Sequence, residues 1–264
     1  MKSKADIRMR GFLKRTPVKT LLALIKEHSQ LLSSEEILTV EASGRILAQE
    51  IISTVNVPNF DRSAMDGYAL HAESTFGASI YNPLMFSIVG QVTPGERYEA
   101  EVLSGEALSI MTGGPLPKGA NAVLMAENAE LVGDQIQVID AVSPGKHVGL
   151  IGEDIKRNQS ILNKARFLRP QDIGVLASIG LKSVKVVRKP EVELLITGNE
   201  LLKPGEQAGG VKIIDSNSVM LSPLIKRDGG LLKAVHHLPD DRDLLRKHLS
   251  ESSADLIIVT GGTS

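Results

Sequence analysis

The sequence predicts an α+β multidomain chain. It has a helical and mixed part, a β-rich module inserted into it or following it, and an unfinished α/β unit with a parallel sheet. Three textures support this. An apolar period of helical spacing runs through 17–29. Between 53 and 145, short apolar runs are separated by Gly, Pro and Asn, the lengths and boundaries of strands. After Lys189-Pro190, strand-like and helix-like segments alternate as βαβαβ, which is how half of a doubly wound sheet reads.

Each element has its own signal. Thr16-Pro17 reads as an N-cap followed by proline at the first helical position, and Val18, Leu21, Leu22 and Ile25 then recur on one face. A short strand is expected at 37–40 and a second short helix at 41–49, carrying Ile46 and Leu47. Runs at 84–89, 107–111, 122–125 and 135–139 read as strands with no helix between them. Arg169-Pro170-Gln171-Asp172 opens a helix with Ile173, Leu176, Ala177 and Ile179 on its apolar side, and Gly180 ends it. Val184, Val186 and Val187 suggest a strand.

The last part predicts strands at 192–196, 231–235 and 256–260. Asp215-Ser216 can cap a helix running to about Lys226, which Pro223 should kink or shift in its start. A charged helix occupies 239–249. The chain ends at the carboxyl end of a strand, where a ligand-binding turn should lead into a helix, so the unit reads as incomplete and the chain as a fragment.

Composition excludes several function classes. Hydrophobic residues make up 42% of 264, enough to bury a core. A net charge of −1 lacks the basic surplus of a nucleic-acid binder. The absence of cysteine rules out disulfides, cysteine-ligated zinc, iron–sulfur clusters and a cysteine nucleophile. No apolar run approaches the roughly 18 residues that span a bilayer, and the N-terminus lacks the apolar core of a signal peptide. The expectation is a cytoplasmic protein with no nucleic-acid or membrane partner. The basic opening, with Lys2, Lys4, Arg8, Arg10, Lys14, Arg15 and Lys19, reads as a solvated leader or a basic arm.

Chemistry could sit in a few places. "VPNFDRSAMDGYAL", residues 57–70, fits neither an amphipathic helix nor an alternating strand. Ligands of open α/β sheets bind at the carboxyl ends of strands, here Thr197-Gly198-Asn199-Glu200 and Gly261-Gly262-Thr263-Ser264. Glycines there admit an anion to backbone N–H groups, although a tight turn explains them equally. Glu200 and Asp215 would repel a phosphate unless Mg²⁺ lay between, and Asp215 has the alternative of a helix cap. "MTGGPLPKGANAVLMAEN", residues 111–128, is a ligand loop or an ordinary Pro/Gly loop, with Thr112 supplying a hydroxyl and Gly113 and Gly114 a close approach. "GEDI", residues 152–155, sets two carboxylates side by side, in a site or a solvated turn. His236-His237 lacks partners at metal-ligand spacing and reads as incidental.

Taken together, "FDRSAMDGYAL", "MTGGPLPKGANAVLM", "GEDI", "ITGNELLKPGE", "IIDSN" and "ADLIIVTGGTS" resemble, in order and approximate spacing, the molybdopterin molybdenumtransferase family, the MoeA family that includes the E domain of gephyrin. The resemblance runs from about Gly11 to the end. The Ser-Ala-Met-Asp-Gly-Tyr-Ala string carries most of it. The later α/β part is less specific, because molybdopterin adenylyltransferases of the MoaB/MogA type share that fold.

The resemblance implies an elongated homodimer. A split linker and dimerisation domain, 11–52 with 146–189, would surround a β-rich inserted domain, 53–145; 190–264 would be the molybdopterin-binding domain, incomplete here, and the usual C-terminal β-barrel is absent. It implies insertion of molybdate into adenylated molybdopterin with release of AMP, assisted by Mg²⁺, downstream of the adenylyltransferase, in an active site between the insertion of one subunit and the α/β domain of the other. By motif, Asp66, Thr112, Asp154 and Glu200 would be catalytic. Ser63, Gly113, Asp215, Asn217, Gly261, Gly262 and Ser264 would bind substrate, and Glu200 with Asp255 would hold Mg²⁺.

The chain departs from the pattern in places. Asn199 stands where the family has a carboxylate, Gly-Gly-Thr-Ser replaces Gly-Gly-Val-Ser, and "VGLI", 148–151, replaces the basic residues that commonly precede Gly-Glu-Asp-Ile. The family's molybdate-binding segments lie beyond residue 264, so this chain by itself is expected not to catalyse insertion. A non-catalytic binding or scaffold member of the same family is the alternative.

Overall fold

A computed structural model describes residues 16–207 and 209–261; the basic opening up to Arg15, Gly262 and Ser264 lie outside them. The chain falls into two compact units. One comprises the residues up to Gln49, Lys164–Ile173 and those from Lys182 on; the other comprises Glu50–Asn163 and Gly174–Leu181.

In the first unit, helix α1 spans Val18–His28. Pro17 is its N-cap rather than its first helical residue, with an extended ψ of 143° and no side-chain cap. Its carbonyl accepts the N–H groups of Thr20 and Leu21 at 3.0 and 3.2 Å. The helix expected at 41–49 does not form. Three long-range pairings take the donors it would have used: Gly44 N–H to Leu168 O at 2.8 Å, Leu47 N–H to Arg166 O at 2.9 Å and Ala48 N–H to Lys185 O at 2.9 Å. Ile46–Leu47 is instead a strand beside Ser183–Val187, whose other neighbour is Ser34–Leu38. Leu47 is fully buried there, so tertiary pairing overrides a local helical pattern.

Helix α2, Pro170–Ser178, forms as expected. Past Pro190 comes a parallel three-stranded sheet in the order Leu231–Leu238, Glu191–Thr197, Leu256–Thr260. Helix α3, Asn217–Arg227, packs Ile225 against Val192, Leu194 and Ile196 on one face. Pro223 lies inside α3 without shifting its start. Its missing N–H is the one that would have reached the Val219 carbonyl. Helix α4, Arg242–Glu251, begins later than Pro239 because Asp241 is its cap, accepting the N–H groups of Asp243 and Leu244 at 2.8 and 2.9 Å.

The second unit is built on a six-stranded sheet in the order Ala122–Met125, Gly67–Leu70, Glu106–Ile110, Leu84–Val92, Gln135–Val138, Ala129–Val132. Glu106–Ile110 and Leu84–Val92 run parallel; the other neighbours are antiparallel. Leu70, Phe86, Leu124 and Ile136 form one core cluster, and Ala69, Val92, Leu108 and Val123 another. Two expectations change. Gly67–Leu70 is an interior strand, hidden from pattern reading because Gly67, Ala69 and Leu70 are all buried and no polar alternation shows. The segment 146–163, assigned from the sequence to the split domain, packs here: Val148–Gly149 pairs with Arg62–Ser63, and Ser160–Leu162 with Ile51–Ile52.

Candidate functional site

Three motif segments meet edge to edge in the β-rich unit. Arg62–Ser63 pairs with Val148–Gly149 on one side. On the other, Ser63 N–H donates to Gly114 O at 2.9 Å, Gly113 N–H to Ser63 O at 2.8 Å and Leu116 N–H to Asp61 O at 2.8 Å. The ribbon lines a cleft of about 420 Å³ with Arg62, Ser63, Thr112, Gly113, His147 and Glu153 on its walls.

Asp66 sits on an exposed turn just before the buried strand Gly67–Leu70. A Cβ on Gly67 would lie 1.9 Å from the Leu124 carbonyl oxygen, so only glycine lets these strands close behind Asp66. Thr112 donates its backbone N–H to Asp66 Oδ1 at 2.7 Å and its hydroxyl to the same oxygen at 2.8 Å. The N–H, then the hydroxyl, hold the Asp66 carboxyl below the ordinary carboxylate range.

The neighbouring carboxylates divide by their partners. Asp61 Oδ1 accepts Ile151 N–H at 2.6 Å, tying two loops together. Glu153 accepts Arg62 Nη2 at 2.9 Å and Leu150 N–H at 3.2 Å. Asp154 is 62% exposed, with Arg62 Nη2 3.8 Å away. Ser63 does not present its hydroxyl to the cleft as a substrate-binding role would require. It is buried and engages the backbone of Met65 as donor and acceptor. His147 was missed by sequence reasoning. Its φ of 57° is uncommon for a non-glycine residue, and the only local signal is the preceding Ser-Pro-Gly-Lys turn.

The α/β part has its own site elements at the carboxyl ends of its strands. Gly261 follows Leu256–Thr260 with φ 117°, and a Cβ there would lie 2.3 Å from Thr197 Oγ1. Glu200, after Glu191–Thr197, is exposed. Asn199 and Asp240 bond reciprocally: Asn199 N–H to Asp240 Oδ2 at 3.4 Å, and Asp240 N–H to Asn199 Oδ1 at 3.2 Å. Asn217 opens α3, exposed.

Two expected roles do not fit. Asp215 is 2% exposed and accepts Ser218 N–H at 3.1 Å, the Ser218 hydroxyl, and His237 Nε2 at 2.8 Å. Burial pushes its carboxyl up, but the Ser218 hydroxyl and N–H and then His237 outweigh it and leave it below the ordinary range. It serves the start of α3 rather than a ligand. His237 is thus a buried acid's partner, and His236 stacks edge-on against His248.

Asp255 sits at the amino end of the sheet, bound by both Arg188 Nη atoms at 2.6 Å and by Glu191 N–H at 2.8 Å. The Arg188 guanidinium holds its carboxyl down to about 2. Glu200 follows the opposite end of the same sheet, roughly 20 Å away at about 3.3 Å per residue, so the pair does not fit a shared Mg²⁺. Among the described residues no cluster of three acidic or histidine side chains could hold a metal.

The comparisons bear on this geometry. The family model described as "MoeA N-terminal region (domain I and II)" matches residues 16–180, and that described as "Probable molybdopterin binding domain" matches 193–264. The chain is 33% identical over 258 residues to a molybdopterin molybdenumtransferase of Staphylococcus epidermidis, covering 95% of this chain and 61% of that one. It is 35% identical over 227 residues to a molybdopterin molybdenumtransferase of Haemophilus influenzae, covering 85% and 55%. The crystal structure of a molybdopterin biosynthesis MoeA protein from Pyrococcus horikoshii superposes with a TM-score of 0.86 at 37% identity, covering 94% of this chain and 67% of that one. The chain spans 55 to 61% of the length of these curated relatives.

Proposed function

The chain belongs to the MoeA family of molybdenum cofactor biosynthesis proteins, and from that premise we propose that it takes part in inserting molybdate into adenylated molybdopterin, with release of AMP. The adenylated pterin would come from a molybdopterin adenylyltransferase.

One observation carries the reading. Asp66, itself exposed, takes both Thr112 donors on Oδ1, and Thr112 and Arg62 line one cleft. A carboxylate held ionised in this way is suited to orienting a water or hydroxyl at the phosphorus from which AMP leaves. Asp154, exposed beside Arg62, supports the same use. In the α/β part, Gly261 at the carboxyl end of Leu256–Thr260, where no Cβ fits, is where the pterin phosphate would approach. Glu200 and Asp255 do not fit a shared Mg²⁺, because Asp255 is bound by Arg188 at the opposite end of the sheet.

A homodimer belongs to the proposal. Val18, Leu21, Leu22 and Ile25 form an apolar stripe on α1 that is 49 to 71% exposed, a face suited to a second copy. Among the described residues no helix is long and apolar enough to cross a membrane.

The test uses a form carrying the full length of the relatives. It should release AMP on adding molybdate, and Asp66→Asn should lower that rate by about a hundredfold or more. Tight binding of adenylated pterin with no molybdate-dependent AMP release would replace the enzyme reading with a binding one.

A further inference from the structure

We propose that Arg62 is the positioning residue that sorts the two adjacent carboxylates of the Gly-Glu-Asp turn, tying down Glu153 so that Asp154 alone is held out to substrate. The inference rests on the functional reading above. Glu153 spends Oε1 on Arg62 Nη2 at 2.9 Å and Oε2 on Leu150 N–H at 3.2 Å. Asp154 Oδ2, 3.8 Å from the same guanidinium, is beyond hydrogen-bond range but within its field. The turn's backbone is fixed separately: Gly152 N–H donates to Pro58 O at 2.8 Å and Asp154 N–H to Val57 O at 3.0 Å. The backbone therefore places the turn, and Arg62 decides which carboxylate is compensated. Without it, two like charges on neighbouring residues would compete for one position.

Gly149 shows why this falls to Arg62 here. A Cβ at 149 would sit 2.8 Å from Glu153 Oε1 and 3.3 Å from Arg62 Cγ, so a longer side chain at 149 would enter the space Arg62 now fills. Among the described residues, Arg62 is the cation paired with Glu153.

The experiment measures molybdate-dependent AMP release by the full-length form as Arg62→Ala, Arg62→Lys, Asp154→Asn, Arg62→Ala/Asp154→Asn and Arg62→Ala/Gly149→Arg, with thermal midpoints alongside. We expect Arg62→Ala to lower kcat at least tenfold and Arg62→Lys to restore part of it. Adding Arg62→Ala to Asp154→Asn should cost less than a further twofold, because Arg62 acts through Asp154. Gly149→Arg should recover at least a third of the rate lost in Arg62→Ala. A purely structural role would lower the thermal midpoint without this non-additivity. Arg62→Ala within twofold of wild type, or a double variant falling by the product of the two single losses, overturns the proposal. If the wild type releases no AMP, the functional reading fails instead, and amide exchange decides the inference. Leu150 N–H should lose protection in Arg62→Ala, and unchanged protection overturns it.

Discussion

Thr112 gives both of its donors, backbone and side chain, to a single oxygen of Asp66, at 2.7 and 2.8 Å, across 46 residues of sequence. The segments 57–70 and 111–128 are thereby one structural object. Removing only the hydroxyl separates its share. Thr112→Val keeps the N–H bond, so the Asp66 pKa should rise toward the ordinary carboxylate value without reaching it, read by ¹³C titration. AMP release should fall at least about tenfold.

Asp172 predicts an acid limit. It is buried near the start of α2 and accepts Arg166 Nη2 at 2.8 Å and Arg169 N–H at 2.9 Å. The Arg166 bond holds its pKa well below the usual range. A carboxyl depressed in the folded state stabilises fully above its unfolded pKa of about 4 and loses that contribution as pH falls through its folded value. Asp172→Asn should cost about 2 kcal/mol at pH 7 by urea unfolding, and the difference from wild type should shrink below about pH 4. A pH-independent difference would contradict this.

Gly67 sets a steric limit. With Leu124 O 1.9 Å from any Cβ, Gly67→Ala must push the edge strand Ala122–Met125 away from Gly67–Leu70. The expected loss is about 3 kcal/mol, measured at the chemical denaturation midpoint. Retained stability would mean the strands relax more readily than a packed sheet should.

Asp255 should behave as a strut. Asp255→Asn breaks the bidentate pair with Arg188, which is itself partly exposed, so only a small loss of stability is expected. Affinity for adenylated molybdopterin should stay within twofold. A tenfold loss of affinity at unchanged stability would return Asp255 to the site.

The α1 stripe makes the dimer testable. Leu22→Glu with Ile25→Glu puts two charges on the exposed apolar face of α1 and should yield a monomer by sedimentation at micromolar concentration, with the helical signal retained. A dimer that persists would place the interface elsewhere.

What the sequence by itself determined is the kind of protein and its short-range pieces. Texture located the strands at 84–89, 122–125 and 256–260, the first of which extends to Val92, and the helices α1 and α2, because apolar periodicity and caps act over a few residues. Motif strings located Asp66, Thr112 and Asp154. Only the tertiary structure decided which carboxylates remain available. Asp215 is consumed by Ser218 and His237, Glu153 by Arg62, Asp61 by Ile151 and Asp255 by Arg188, in most cases across tens of residues. It also separated Glu200 from Asp255, because the two lie at opposite ends of strands in one parallel register. The physical reason is the same throughout: a carboxylate's chemistry depends on which donors reach it, and strand pairing over long separations brings those donors there.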